Sequence, residues 1–260
     1  MPNTSALKKR IKTISSTQKI TKAMKLVSLS KLQRYKNELG SFKDYYNAVH
    51  EISDSFMTAD EGEISSLPKL YFIVMPDLGL CSAYSQGVLK KVREVSQDGD
   101  FAYVLGTQNF ETLQSLDLKV INEMESSEHF NVNQGIKVIS EYLDTHQIVA
   151  VVPEYVNMMT MEFHLYELST ANYQMRDDVI YEPNFDEVTM LLKKVSLISL
   201  LRFAFLTSKV SEHTTRRIAM EKATDSAQDM IDDLGRQYNR IRQEAITQEI
   251  SEIVSGMEVS

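Results

Sequence analysis

Ile231-Asp-Asp-Leu-Gly-Arg-Gln-Tyr-Asn-Arg-Ile-Arg-Gln-Glu-Ala245 is the stretch that decides the fold. Its apolar members, Ile231, Leu234, Tyr238, Ile241 and Ala245, recur at alternating intervals of three and four. That spacing draws one narrow apolar seam along a helix, as in a coiled coil. The stretch sits inside a longer run, Asn184 to Gly256, with no proline and one internal glycine, Gly235. Asn184 follows Pro183 and precedes Glu187 by three residues, the pattern of an N-cap with its capping-box partner. Gly256 reads as the stop. At 1.5 Å rise per residue a helix over this run is roughly 100 Å long, so part of it must project. Gly235 costs about 1 kcal/mol relative to Ala, and packing has to supply the stability.

A second long helix is predicted over residues 4–58. Leu32, Tyr35, Leu39, Phe42, Tyr46, Val49 and Phe56 keep the three–four pattern, with Ser53 its weak member, and Leu7, Ile11 and Ile14 start a similar seam earlier. Between them, Gln18 to Lys25 is poor in apolar residues and rich in Thr and Lys, and is expected to face a partner rather than a core. Asp60-Glu-Gly62 and Pro68 end the helix and make a linker. From Lys69 the period changes. Strands are predicted at Leu70–Met75, Phe101–Gly106, Leu118–Ile121, Ile148–Val152 and Met159–Leu168. Helices are predicted at Gly87–Ser96, Asn109–Ser115 and Val132–His146. Strands alternating with helices argue for a small, largely parallel sheet. The fold class is therefore α/β: a long antiparallel coiled coil of the N- and C-terminal helices around a central Rossmann-like domain, divided as 1–60, 68–183 and 184–260.

The net charge of −8 hides an asymmetry. Residues 1–43 hold eleven Lys and Arg and one acid, Glu38, a balance of +10 that leaves −18 for the remainder. An arm this basic on an acidic chain is built to meet something negative: nucleic acid, anionic lipid or an acidic protein surface. One cysteine, Cys81, excludes an internal disulfide framework. No apolar run approaches the ~20 residues of a membrane span, and the N-terminus lacks the apolar core of a signal peptide. A soluble protein on the side where it is made is expected.

The sequence speaks against catalysis. It has no G-x-x-x-x-G-K-[ST] and no G-x-G-x-x-G, so no phosphate cradle is expected. Gly79-Leu-Cys81 reads as a tight strand-to-helix turn with Cys81 as a small buried apolar residue. The five histidines include no i, i+4 pair, and no metal site is expected. His213 beside Glu212 reads as a solvated helical pair. Asp232 and Asp233 fall on different helix faces, which argues against a general acid/base pair. No cofactor and no enzyme activity of the chain on its own are expected.

At the termini the residues become specific. Thr17-Gln-Lys-Ile-Thr-Lys-Ala-Met-Lys-Leu-Val27, followed by Lys31-Leu32, resembles the N-terminal helix of the γ subunits of F-type ATP synthases. Ser211-Glu-His213 with Arg216, Ala223-Thr-Asp225, Ile231-Asp-Asp-Leu234, Tyr238-Asn-Arg240 with Arg242-Gln243, Ala245-Ile-Thr-Gln-Glu249 and Glu252-Ile-Val-Ser-Gly256 resemble that family's C-terminal helix. Asp77 with Gly79-Leu-Cys81, and Tyr181-Glu-Pro183, resemble its domain turn and its re-entry to the long helix. The resemblance implies a central rotor shaft inside a ring of α and β subunits that hold the nucleotide. It implies an ε-type subunit and a membrane rotor ring as further partners. It also implies a peripheral place on the cytoplasmic or matrix side of an energy-coupling membrane. Carried over residue by residue, it points to Lys9, Met24, Lys25, Arg216, Arg240, Gln243, Thr247, Glu249 and Glu252 as ring contacts. The basic residues would make charge contacts, and Gln243, Thr247 and Glu249 hydrogen bonds. Tyr181 and Glu182 are pointed to for the membrane-rotor end.

The departures lie mostly in the α/β domain. Leu78 stands where the family usually has Arg, Ser82-Ala83 where it has two glycines, Ser85 where it often has Asn, and Gly106-Thr-Gln-Asn109 where a glycine- and lysine-rich turn is expected. On the long helix Ser226 replaces Asn. A divergent ATPase motor that reuses the shaft without proton translocation is the alternative these departures raise. A nucleic-acid-binding coiled coil and a membrane-surface helix are the rivals outside the family. The basic arm lacks interleaved aromatics for the first, and residues 15–25 have too little apolar face for the second.

Overall fold

In the computed structural model, residues 4–55, 67–116, 118–157, 160–168, 173, 175 and 178–258 are described. Phe56 and the 60–62 linker of the sequence reading lie outside them. The order is α1 (Thr4–Ser55), β1 (Lys69–Val74), α2 (Ser82–Val95), β2 (Asp100–Leu105), α3 (Phe110–Gln114), β3 (Leu118–Val120), α4 (Val132–Ile139), β4 (Gln147–Asn157), β5 (Thr160–Leu168) and α5 (Phe185–Glu258). The start of α5 is capped as expected. The Glu187 amide donates to Asn184 Oδ1 at 3.0 Å, and Asn184 Nδ2 donates to Glu187 Oε1 at 2.9 Å. Its end is not where the sequence placed it. The helix runs through Gly256 to Glu258, because glycine stops a helix only where the chain turns into the left-handed region.

The chain separates into two compact units, residues 29–215 and residues 1–28 with 216–260. Both long helices contribute to both units.

In the 29–215 unit the sheet order is β3-β2-β1-β4-β5, parallel except for β5 against β4. Side chains alternate across a strand, and both faces of β1 are covered, which is why it reads as an uninterrupted apolar run. Leu70, Phe72 and Val74 join a core with Tyr103, Leu105, Ile148, Ala150 and Val152, and with Tyr35, Phe42 and Tyr46 of α1 and Leu197, Leu201 and Ala204 of α5. Tyr71, Ile73 and Met75 face the other way, onto Tyr84, Val88 and Val92 of α2 and Leu113 of α3. One face of the sheet thus carries α2 and α3, and the other rests on the two long helices. Here α1 and α5 run antiparallel: Tyr35 stacks on His213, and Tyr46, further along α1, stacks on Phe203, further back along α5, at 4.1 Å between centroids. Ser53, the weak seam residue, is buried and shares a 3.4 Å hydrogen bond with the Tyr173 hydroxyl.

Several boundaries differ from the sequence reading. α2 begins at Ser82, five residues before Gly87, since Tyr84 and Ser85 are buried in its first turn. The predicted helix to His146 is α-helical only to Ile139, then tightens into a 3-10 turn, Ser140–Tyr142. Gly106, after β2, has φ +95, and a Cβ there would lie 2.0 Å from the Met75 carbonyl oxygen, so no other residue fits. His213 and Glu212 are not solvated. They are 3% and 2% exposed, with Glu212 accepting from Lys209 Nζ at 2.8 Å. An i, i+1 pair says nothing about which helix face is covered; here Tyr35 of α1 stacks on His213, and Lys209, the partner of Glu212, reaches Ser127 of the α/β domain.

Asp77, at the end of β1, gathers donors. Ser127 Oγ (2.8 Å), Ser126 Oγ (3.0 Å) and the amides of Ser127 and Glu128 (both 3.1 Å) point at its carboxylate. Burial alone would raise its pKa. The hydrogen bonds from Ser127 and Ser126 and the charge of Lys209 outweigh burial and hold it below the ordinary carboxylate value. A depressed folded-state pKa stabilises above the unfolded value near 3.8 and is lost as pH falls through the folded value. The 29–215 unit is therefore expected to lose stability below about pH 4. Asp77→Asn should flatten that acid limb, and the check is a urea titration of both proteins at pH 3 and pH 6. Equal acid limbs would remove Asp77 from this role.

Candidate functional site: the paired-helix surface

In the unit formed by residues 1–28 and 216–260, the two helices meet along one seam. Leu7, Ile11 and Ile14 of α1 are partly covered, and Ile218, Ala227 and Leu234 of α5 are buried. The stretch from Gln18 to Lys25 continues this seam instead of facing outward. Gln18 Nε2 donates to Gln228 Oε1 at 2.9 Å, Thr21 and Thr224 share a hydrogen bond at 2.8 Å, and Lys25 Nζ donates to Glu221 Oε1 at 2.7 Å. As the α1 index rises by three and four, the α5 index falls by four and three, the signature of an antiparallel pair in fixed register. Thr and Lys look partner-facing in sequence because their matching groups lie about 200 residues away. The hydrogen bond and charge of Lys25 lower the pKa of Glu221, and both side chains stay about one-third exposed, so solvent screens the pair and its contribution to stability is small. Its weight lies in specifying register, as polar groups in a coiled-coil seam do.

The residues singled out from the sequence divide between the inside and the outside of this unit. Lys9 is exposed and Met24 is half-covered. Lys25 is committed to Glu221, and Arg216 is buried, at 4% exposure, and engaged within the chain. Arg240, Gln243, Thr247, Glu249 and Glu252 are all exposed. Arg240 Nε donates to Glu244 Oε1 at 2.9 Å, which raises the guanidinium pKa further. Thr247 Oγ1 donates to the Gln243 carbonyl at 2.9 Å, so its hydroxyl oxygen still has an acceptor site outward. Gln248 Nε2 donates to Glu252 at 3.1 Å. In the other unit, Tyr181 packs edge-on to Phe185 at 5.1 Å, and Glu182 is exposed.

Two apolar features of the outer face lie outside the seam and outside the residues singled out from the sequence. Ile20, Leu26 and Val27 are more than half exposed among the lysines of α1. Beyond Ala245, Ile246, Ile250, Ile253 and Val254 are likewise exposed. The signal was available: these positions fall off the three–four seam, so their apolar character has no use within the pair. Lys8, Lys9, Lys12, Lys19 and Lys22 stand exposed on the same α1 segment. The outer surface thus mixes positive charge with exposed apolar side chains, and the apolar side chains are what mark a contact surface. Among the described residues there is no cluster of potential metal ligands and no helix long and apolar enough to cross a membrane.

Comparison with known proteins gives a match over almost the whole chain. The family model described as ATP synthase covers residues 3–259. Curated relatives include the ATP synthase gamma chain of Mycoplasmopsis synoviae, 30% identical with all of both chains covered, and that of Mycoplasma mobile, 32% identical over 97% of each. The ATP synthase gamma chain of Alkaliphilus metalliredigens is 32% identical over 97% of this chain and 96% of its own. Among solved structures, a chain of the Euglena gracilis mitochondrial ATP synthase (OSCP/F1/c-ring, rotational state 3) superposes with a TM-score of 0.75 at 15% identity, covering 98% of this chain and 94% of that one. A chain from the central stalk and c-ring of the Tetrahymena thermophila enzyme gives 0.61 at 18% identity, over 78% and 99%. Those two identities speak to the fold.

Proposed function

The chain belongs to the ATP synthase γ-chain family, and on that premise we propose that its paired helices turn inside a ring of α and β subunits that hold the nucleotide. It is the central-stalk subunit of an F-type ATP synthase, non-catalytic in itself, and works within a hetero-oligomeric complex. The observation that carries the proposal is the outer face of the 1–28/216–260 unit. There charged and apolar side chains stand exposed around a seam already satisfied within the chain.

An asymmetric shaft presents a different face to each ring position. Differential contact shifts the equilibrium between conformations of each catalytic subunit, which is what couples rotation to nucleotide affinity. Lys9 and its neighbours would meet acidic loops of β, while Arg240, Gln243, Thr247, Glu249 and Glu252 would meet the ring further along. Lys25 and Arg216 would act by holding the shaft's shape. Tyr181 and Glu182 are assigned to the end nearer the membrane rotor and an ε-type subunit, with the complex peripheral to the membrane. The deciding experiment is co-assembly with the matching α and β subunits followed by observation of ATP-driven rotation of this chain. Assembly without rotation would refute the proposal.

Gln243 and Thr247 supply a finer test. They lie four apart on one exposed face, and neutral hydrogen bonds contribute about 0.5–1.5 kcal/mol each. If the pair bonds the ring at one rotational angle, its loss raises the barrier there. The Gln243→Ala/Thr247→Ala variant is expected to keep full helicity, since Ala is the better helix former. It should assemble normally and turn over ATP about threefold to tenfold more slowly. Parental turnover would assign the pair to an ordinary solvated face.

A further inference from the structure

In a parallel α/β sheet the crevice beyond the carboxyl ends of the strands is where such folds hold ligands. Here the chain fills that crevice with its own side chains. Asp77 lies at the end of β1, and the 3-10 turn Ser127–His129 folds over it, with the Ser127 and Glu128 amides donating to the carboxylate. Lys209 of α5 enters from the helix side. Its Nζ donates to Ser127 Oγ at 2.5 Å, and Ser127 Oγ donates onward to Asp77 Oδ2 at 2.8 Å. The same Nζ donates to Glu212 Oε2 at 2.8 Å. Lys209, Ser127 and Glu212 are each 2% exposed or less. Beside them Lys31 of α1 pairs with Glu128. Both long helices are therefore tied by charge to one short turn of the α/β domain, within a single compact unit.

Most of the rest of that interface is apolar and aromatic, with the Tyr155 amide donating to Ser211 Oγ at 3.2 Å as a neutral tie of β4 to α5, and apolar packing is non-directional. It resists separation far better than it resists sliding. Charged hydrogen bonds with fixed geometry resist sliding, because displacement leaves buried charge unpaired. We propose that the relay Lys209–Ser127–Asp77, anchored by Glu212 and flanked by Lys31–Glu128, is the key that locks the α/β domain to the paired helices and carries torque between them. The proposal rests on the rotor reading for its function, but the lock itself is a property of this chain. Lys209, Ser127 and Glu212 are positioning residues that act through the seating of the α/β domain on the helices.

The test uses the assembled complex. Lys209→Met alone takes the Lys209 ammonium away from Glu212, so the decisive variant is Lys209→Met/Glu212→Leu, which removes both charges of that pair at similar volume. Spin labels at Asp98→Cys on the α/β domain and Lys36→Cys on α1 report their separation, since both sites are exposed and the native Cys81 is buried. The expected result is one narrow distance in the parent and at least a doubled width in the variant. ATP turnover without load should stay within twofold, while rotation of a bead fixed to the α/β domain stalls at lower viscous load. Unchanged width, or unchanged stall load with the charges gone, overturns the lock. A parent complex that hydrolyses ATP without turning the bead refutes the rotor reading instead, and the distance measurement then decides the lock independently.

Discussion

Reversing Lys9, Lys12, Lys19 and Lys22 together to Glu is expected to slow ATP turnover of the assembled complex about tenfold or more, or to uncouple it from rotation. All four side chains are exposed and off the seam, and Glu and Lys have similar helix propensities, so the helix pair should survive. What changes is the sign of the surface. Four lysines facing acidic loops attract weakly, each pair worth about 0–1 kcal/mol. Four glutamates in their place repel, and like-charge juxtaposition across an interface costs several kcal/mol. A tenfold rate loss needs only about 1.4 kcal/mol at the limiting angle. Lys9→Ala, which removes one weak pair and adds no repulsion, should leave turnover within about twofold. The parent's coupling should weaken with added salt, as screened surface pairs do. Turnover and coupling unchanged by the fourfold reversal would exclude the acidic-loop contact.

How much of this was legible in the sequence depends on the range of the interaction. The seam from Ile231 to Ala245 is a local period, and the Asn184–Glu187 cap is a three-residue motif. Both stand as read. β1 was legible because covering on both faces leaves an unbroken apolar run. The failures share one cause. Gln18, Thr21 and Lys25 look like an outward face until Gln228, Thr224 and Glu221 are set opposite them. Glu212 and His213 look solvated until Tyr35 of α1 is set against His213, and Ser127 of the α/β domain against Lys209, the partner of Glu212. A polar residue's partner is long-range information, and no window of local sequence contains it. The same limit explains the candidate contacts. Family likeness singled out Lys25 and Arg216 alongside Lys9 and Gln243, yet only geometry separates those turned inward from those turned out.

The register of the helix pair gives the second large effect. Thr21 Oγ1 and Thr224 Oγ1 lie 2.8 Å apart. A cysteine places sulfur where threonine carries that oxygen, and a disulfide needs about 2.05 Å, so a shift of under an ångström closes the bond. Thr21→Cys/Thr224→Cys is therefore expected to oxidise readily, while Cys81, 1% exposed, stays reduced. The bond closes a loop across 203 positions. Chain entropy then raises stability by about 3–5 kcal/mol, of which native-state strain removes some. Function gives the sharper outcome. If α1 and α5 turn as one body, a covalent tie between them obstructs nothing, and the oxidised complex should keep parental ATP turnover and rotation while melting several degrees higher. Failure to oxidise would show that the Thr21–Thr224 register does not hold in the complex. Oxidation with lost turnover, restored by a reductant, would show that the two helices must slide past each other during the cycle, and a shaft turning as one rigid pair would be excluded.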